Sequence, residues 1–319
     1  MAPAAPLPLH ALSAPDLYRL AAQLRAAIRP EPAEAALREL LRREPQDPQV
    51  RFALAYLLLA RGAFAEAWPL YEARSDVSAN KIRRPAFSFP EWRGESVGSI
   101  LLFPEQGLGD QVFFARYAAL LRDRGVQVTM IAPAPLARLF ETLGVEVIAG
   151  AEGLAVPRRD AWAMVGSLPR WLGQPGPAAY LPSQPVGPKG VTGLGIAARG
   201  NPDYVKDAQR SLPPDLAAEL MALPGAVSLH PEDTGAPDLQ ATAELISGLE
   251  RVITVDTAVA HLAGAMGKPV FVVLSHDPDW RWGWSGETTA WYPSARLFRQ
   301  STPGDWRPVL DAVQGALGG

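Results

Sequence analysis

Apolar residues fall at helical spacing between residues 15 and 75 and in short unbroken runs from residue 99 onward. In DPQVRFALAYLLLARGAFAEAWPLYEAR, Phe52, Leu54, Ala55 and Leu58 form one helical face. Gly62 breaks it, and Phe64, Ala67, Trp68 and Tyr71 mark a second helix. Residues 76–95 lose this period and gain Pro, Ser and basic side chains, the composition of a connector. Then SILLF, VQVTMIA and VEVIA alternate with helical stretches over 110–123 and 135–143, followed by AWAMVGSLPRWLG. Residues 172–190 hold five prolines and four glycines and read as a linker. A second series follows: VTGLGIAA, a helix over 212–223, AVSLH, a helix over 240–248, RVITVD, a helix over 257–266, and PVFVVL. Unbroken apolar runs alternating with helices are the mark of parallel strands covered on both faces. The pattern predicts an α/β chain in three parts: a helical unit over 1–80 and two Rossmann-like domains over 81–185 and 186–319, facing across a cleft where strands end.

Leu54, Ala55, Gly62, Phe64, Ala67 and Tyr71 resemble the small and large positions of a tetratricopeptide repeat. PAEAALRELLRREPQDP, about 32 residues upstream, resembles the second helix of a degenerate one. An ordinary helical hairpin is the other reading. Either way, fewer than roughly three repeats bury no continuous core, so these helices are expected to pack on the next domain.

The chain has 319 residues, 48% hydrophobic and 20% charged, enough to bury sizeable cores. A net charge of −3 advertises no basic surface for nucleic acid or anionic lipid. With no cysteine there are no disulfides, thiol nucleophiles or thiolate metal sites. Prolines and a histidine interrupt the first twenty residues, unlike a secretion signal. No apolar run approaches the roughly 20 residues of a membrane-spanning helix, so a cytoplasmic protein without a membrane span is expected.

The first candidate chemistry lies in PEQGLGDQVFFARY, where Gln106, Gly107 and Gly109 follow a strand and Asp110 opens a helix. The glycines allow positive φ and close approach of a ligand. Asp110 has two readings, a helix cap or a general base at the cleft, and they conflict, because the N–H donors that favour a cap weaken a base. A dinucleotide fingerprint fails at Val112 and lacks its acidic ribose ligand; no Walker motif or G-x-S-x-G elbow occurs. The second candidate is RVITVDTAVAHLAGAMGKPVFVVL, where a strand ends at Asp256 and the helix opening at Thr257 and Ala258 suits a phosphate. His261, on its first turn, either borders the same cavity or is structural. Third, GIAARGNPDYVKDAQRSLPP carries Arg199, Lys206 and Arg210, a phosphate-neutralising set or a solvated basic loop. Asp277 and Asp279 form a weak metal pattern, and no metal is expected. Trp280, Trp282, Trp284, Trp291 and Tyr292 read as a packed cap in preference to a sugar-stacking surface.

Together, EQGLGDQVFFARY, GNPDYVKDAQRS, TAELISGLERVITVDTAVAHLAGAMGKPV, PDWRW, WYP and LFRQSTPGDW resemble the bacterial tetratricopeptide-linked glycosyltransferases related to heptosyltransferases. The resemblance runs from about residue 50 to the C-terminus. It implies a GT-B fold with an N-terminal α-helical extension, no metal or other cofactor, and a final helix crossing back toward the first domain. It also implies a nucleotide sugar held mainly by the second domain, through Asn201, Lys206, Arg210, Asp256, Thr257, Ala258 and His261. Asp110 takes the place of the family's catalytic base in a cleft loop of Gln106, Gly107 and Gly109. An inverting, metal-independent transfer to a hydroxyl of a glycan or protein follows, the acceptor docked by the helical unit. The alternative is a non-catalytic scaffold with a degenerate GT-B body. Arg199 ahead of Gly-Asn-Pro and GWSGETTA between PDWRW and WYP depart from the family pattern.

Overall fold

The computed structural model describes residues 9–150, 155–183 and 193–318, in two compact units, residues 1–83 and 84–319. Part of the proline-rich stretch 172–190 therefore lies outside the described residues, as does the expected boundary at 185–186.

The first unit is built from α1 (Ala14–Ala26), α2 (Pro30–Arg43), α3 (Pro48–Arg61) and α4 (Phe64–Tyr71), each packed on the next. Local chemistry sets the ends of α3. Asp47 accepts hydrogen bonds from the amides of Gln49 and Val50 at 2.8 and 3.0 Å, and Pro48 has no N–H to lose. Gly62 closes the helix in the left-handed region at φ 84°. Ala33, Ala36, Leu54, Ala55, Leu58 and Ala67 are fully buried, so small residues let the helices approach while the leucines fill the gaps.

The second unit contains two parallel sheets. The first joins β1 (Ser99–Phe103), β2 (Gln127–Ala132), β3 (Glu146–Ala149) and β4 (Ala161–Met164) in the order β3-β2-β1-β4. Its helices are α5 (Leu108–Asp123), α6 (Ala134–Glu141) and α7 (Leu168–Leu172). The second sheet joins β5 (Leu194–Ala197), β6 (Ala226–Ser228), β7 (Arg251–Val255), β8 (Val270–Leu274) and β9 (Ala295–Arg299) in the order β6-β5-β7-β8-β9. With it come α8 (Asp207–Arg210), α9 (Pro214–Met221), α10 (Pro231–Thr234), α11 (Leu239–Gly248), α12 (Ala258–Ala265) and α13 (Arg307–Leu317). The middle residues of the central strands β1 and β7 are buried, and all five residues of β8 are covered, as an unbroken apolar run requires.

Val309, Leu310 and Val313 of α13 complete the second sheet's core with Ile196, Ile253, Phe271 and Phe298. One expectation changes here. Helix α5 starts at Leu108, two residues earlier than the spacing suggests, so Gly107 is the cap and Asp110 sits inside the first turn.

The halves meet through α5 against α12 and through α6 against α11, where Arg138 pairs with Asp238 and Glu244. Helix α5 is apolar nearly all round, and Val112, Phe113, Phe114, Ala115 and Tyr117 are completely buried, because it is covered by its own sheet on one side and by α12 on the other. The segment between the halves is pinned to both helices. The amides of Tyr180 and Leu181 donate to the Ala265 carbonyl at 2.9 and 3.0 Å, and Tyr180 Oη donates to the Val112 carbonyl at 2.7 Å. Arg116 of α5 is 5% exposed; its guanidinium lies 4.4–5.2 Å from the ring centres of Phe113, Tyr180, Trp291 and Tyr292, and its Nε donates to the Phe113 carbonyl.

Candidate active site

The first turns of α5 and α12 meet where β1 and β7 end. A Cβ placed on Gly109 would lie 3.1 Å from His261 Cδ2 and 3.3 Å from Ala258 Cα, so the missing side chain is what lets the helices touch. This corrects the expectation that the glycines supply positive φ. Gly107 has φ −77°, and the left-handed residue is Gln106, at φ 62°.

Asp110 is held at both oxygens. Oδ2 accepts from the Gly107 amide at 3.0 Å, satisfying the N-cap N–H from the helix's first turn, and Oδ1 accepts from Arg281 Nη2 at 2.6 Å. The side chain is still 26% exposed. Burial raises its pKa above the usual carboxylate range against the pull of Arg281, and Asp279 and Glu105 add to the rise. Glu105 is buried and accepts from the Gly166 amide at 2.7 Å.

Arg281 comes from the loop after β8 and is 3% exposed. Nη1 donates to Asp279 Oδ1 at 2.9 Å while Nη2 reaches across to Asp110. The aromatic residues around it form the expected cap, with Trp280, Trp282, Trp291 and Tyr292 all at 1–2% exposure.

On the α12 side, Thr257 caps the helix, its Oγ1 accepting from the Val259 amide at 3.3 Å. Asp256 precedes it. Burial and Asp279 push the Asp256 carboxyl up to about 6. Its carbonyl accepts from Arg210 Nη1 at 2.7 Å, and Arg210 Nε donates to Asp207 Oδ1 at 2.9 Å. Ser211 Oγ joins Asp207 Oδ2 to the Gly200 amide, each at 2.9 Å. A Cβ on Gly200 would fall 2.2 Å from Asp207 Oδ1 and 2.4 Å from Arg210 Nη2, so the Gly-Asn-Pro loop packs directly on the Arg210–Ser211 pair only because position 200 has no side chain.

The first turns of α5, carrying Asp110, and of α12, opening at Ala258, are thus brought into contact, and Arg210 holds the Asp256 carbonyl just ahead of α12. His261 is drawn into the core: 5% exposed, stacked on Trp282 at 5.2 Å and sharing a 3.0 Å hydrogen bond with Tyr292 Oη. Burial, reinforced by Arg281 and Arg116, lowers its pKa well below the ordinary value and keeps it neutral. Lys206 Nζ pairs with Asp277 Oδ2 at 3.1 Å, and Asn201, exposed, uses Oδ1 to accept from the Asp203 amide. Arg199 pairs with Glu232 at the surface, apart from the set it was grouped with. Asp277 and Asp279 take different cations, and among the described residues no three His, Asp or Glu side chains form a metal-binding group. Arg281 is the residue here that the sequence did not single out, and Asp279, read there as half of a weak metal pattern, pairs with it instead; a charged pair inside an aromatic cluster, PDWRW, was the available signal.

Asp256 gives a stability test. Its folded pKa of about 6 exceeds the ordinary 3.8, so the folded state binds this proton more tightly than the unfolded chain does. The stabilisation is complete below about pH 4 and is lost as pH rises through about 6. Asp256→Asn should therefore melt a few degrees above the parent at about pH 8, at roughly 2–4 °C per kcal/mol, and together with it below about pH 4, as differential scanning calorimetry would read.

Residues 234–302, which include α11, β7, α12 and Arg281, match the model of glycosyltransferase family 9 (heptosyltransferase). Over an alignment of 355 residues the chain is 28% identical to Protein FlbA of Caulobacter vibrioides, covering 89% of this chain and 58% of FlbA, so the chain spans a little over half the length of that curated relative. Among solved structures it is similar to the iron-containing dodecameric glycosyltransferase TibC from enterotoxigenic E. coli. That likeness has a TM-score of 0.45 and 14% identity, and covers 69% of this chain and 66% of TibC. The E. coli heptosyltransferase WaaC with ADP has a TM-score of 0.46 at 13% identity, over 69% of this chain and 97% of WaaC.

Proposed function

We propose that the chain is an inverting, metal-independent glycosyltransferase that moves a sugar from a nucleotide-sugar donor to an acceptor hydroxyl. The observation that carries this reading is the part-exposed Asp110 carboxylate beside the N-terminus of α12, a helix inside the stretch that matches glycosyltransferase family 9. Asp110 accepts the hydroxyl proton as the acceptor oxygen bonds to the anomeric carbon. The bond from that carbon to the donor phosphate breaks, and its electron pair stays on the departing nucleotide. The Ala258 amide and the positive end of α12 meet that charge, with Arg210 next in line.

Thr257 and Asp256 set the entrance of α12, while His261 and Asn201 act by shaping the walls. The helical unit docks a glycan or protein acceptor. No helix among the described residues is long and apolar enough to cross a membrane, and a cytoplasmic site of action belongs to this proposal.

Melting the full chain against a panel of nucleotides and nucleotide sugars, with EDTA and with magnesium, tests the reading. A donor at 100 times its dissociation constant adds about 2.7 kcal/mol, a visible shift in Tm. One nucleotide class should stabilise the chain equally in EDTA. A shift that requires magnesium removes metal independence, and no shift across the panel returns the chain to a scaffold with Asp110 as a helix cap.

A further inference from the structure

We propose that Arg281 is a positioning residue for Asp110, fixing the carboxylate's orientation and its ionised state from the opposite half of the molecule. The inference rests on the reading of Asp110 as the base. Geometry carries it. The guanidinium fork spans two carboxylates, Asp279 at 2.9 Å in its own loop and Asp110 at 2.6 Å across the cleft. It is wedged at 4.3 and 4.6 Å over the rings of Trp280 and Phe113, which leaves it 3% exposed. A lysine ammonium offers no planar fork and would not hold both carboxylates in this geometry.

The groups facing Asp110 come from every neighbouring element. Glu105 and Asp279 add negative charge, and His261 on α12 is neutral. Tyr204, in the loop after β5, is raised by burial and feels Asp279, Asp256, Arg210 and Asp110, which places its phenol in the same field. Arg281 is the cation bonded directly to Asp110, and it opposes both the burial and the like charges. With Oδ1 on Arg281 and Oδ2 on the Gly107 amide, the carboxylate plane is set, and its exposed edge is what an acceptor hydroxyl meets. A base that is dehydrated without this guanidinium would be protonated in part before the acceptor arrived.

The test needs no substrate. Aspartate labelled with 13C at Cγ is followed by NMR across pH in the full chain, and the Asp110 signal is assigned by its absence in Asp110→Asn. Arg281→Met should raise the Asp110 midpoint by at least about one pH unit, a tenfold change in proton affinity, and Arg281→Lys by less. Asp279→Asn should lower it, because a like charge is removed while the Asn oxygen still accepts from Arg281. An unmoved midpoint in Arg281→Met overturns the proposal. If that variant does not fold, the sign in Asp279→Asn decides, and an unchanged or raised midpoint overturns it. Where a donor is in hand, Arg281→Met should also lower kcat at least tenfold at neutral pH while donor KM holds within twofold. Should the midpoints move as stated while Asp110→Asn transfers sugar normally, the ionic coupling stands and the base reading falls.

Discussion

Asp110→Asn should leave a folded chain that binds its nucleotide sugar and transfers the sugar about 10²–10⁴ times more slowly. Asparagine keeps the shape of the side chain, and its carbonyl oxygen still accepts from Arg281 or from the Gly107 amide, the two donors that hold the carboxylate. It cannot take a proton at the pH of the assay, so the acceptor oxygen must attack while still carrying its own. Donor binding is assigned to α12 and Arg210, which the substitution leaves in place, so the melting shift with nucleotide sugar should survive. Chromatographic measurement of nucleotide release in the presence of acceptor reads the rate. A variant as fast as the parent would make Asp110 a capping residue and nothing more.

The largest loss of stability should come from Trp291→Ala, about 3–5 kcal/mol for a buried aromatic truncated to a methyl group. Trp291 is 1% exposed and meets Phe113 edge-on at 4.7 Å and Trp280 at 5.8 Å. It also forms one wall around the Arg116 guanidinium, at 5.2 Å. Truncation therefore opens a cavity and strips a buried charge of part of its cover, two penalties from one change. At roughly 2–4 °C per kcal/mol the melting temperature should fall by about 6–20 °C in calorimetry. Trp291→Phe, which keeps a ring, should recover more than half of the loss. A fall of under about 1 kcal/mol would mean that the aromatic cap adds little to the stability of residues 84–319.

The sheets were legible because strands buried on both faces need unbroken apolar runs, and SILLF, RVITV and VFVVL are such runs. β9 and β4 were harder. ARLFR, at the edge of its sheet, is interrupted by two arginines and gives no unbroken apolar run, and AWAM lies in one apolar stretch with α7. In the candidate site, Asp110 stood out by its place after glycines at the end of a strand. What its carboxylate binds could not be read, since Arg281 lies 171 positions away and no local period reports such a pair. Glycine is ambiguous for a related reason. Gly109 and Gly200 exist for clearance, against α12 and against Arg210, and a sequence shows a missing side chain without showing what fills its space.

The cage around Arg116 also bears on how residues 84–319 come apart. Its walls are drawn from α5, from the segment carrying Tyr180, and from Trp291 and Tyr292 beside the second sheet, so the charge stays covered only while all three are in place. Neither sheet can melt ahead of the other without exposing the shared core around that guanidinium. Residues 84–319 should therefore unfold in one cooperative transition, without a populated species in which only one sheet stays intact.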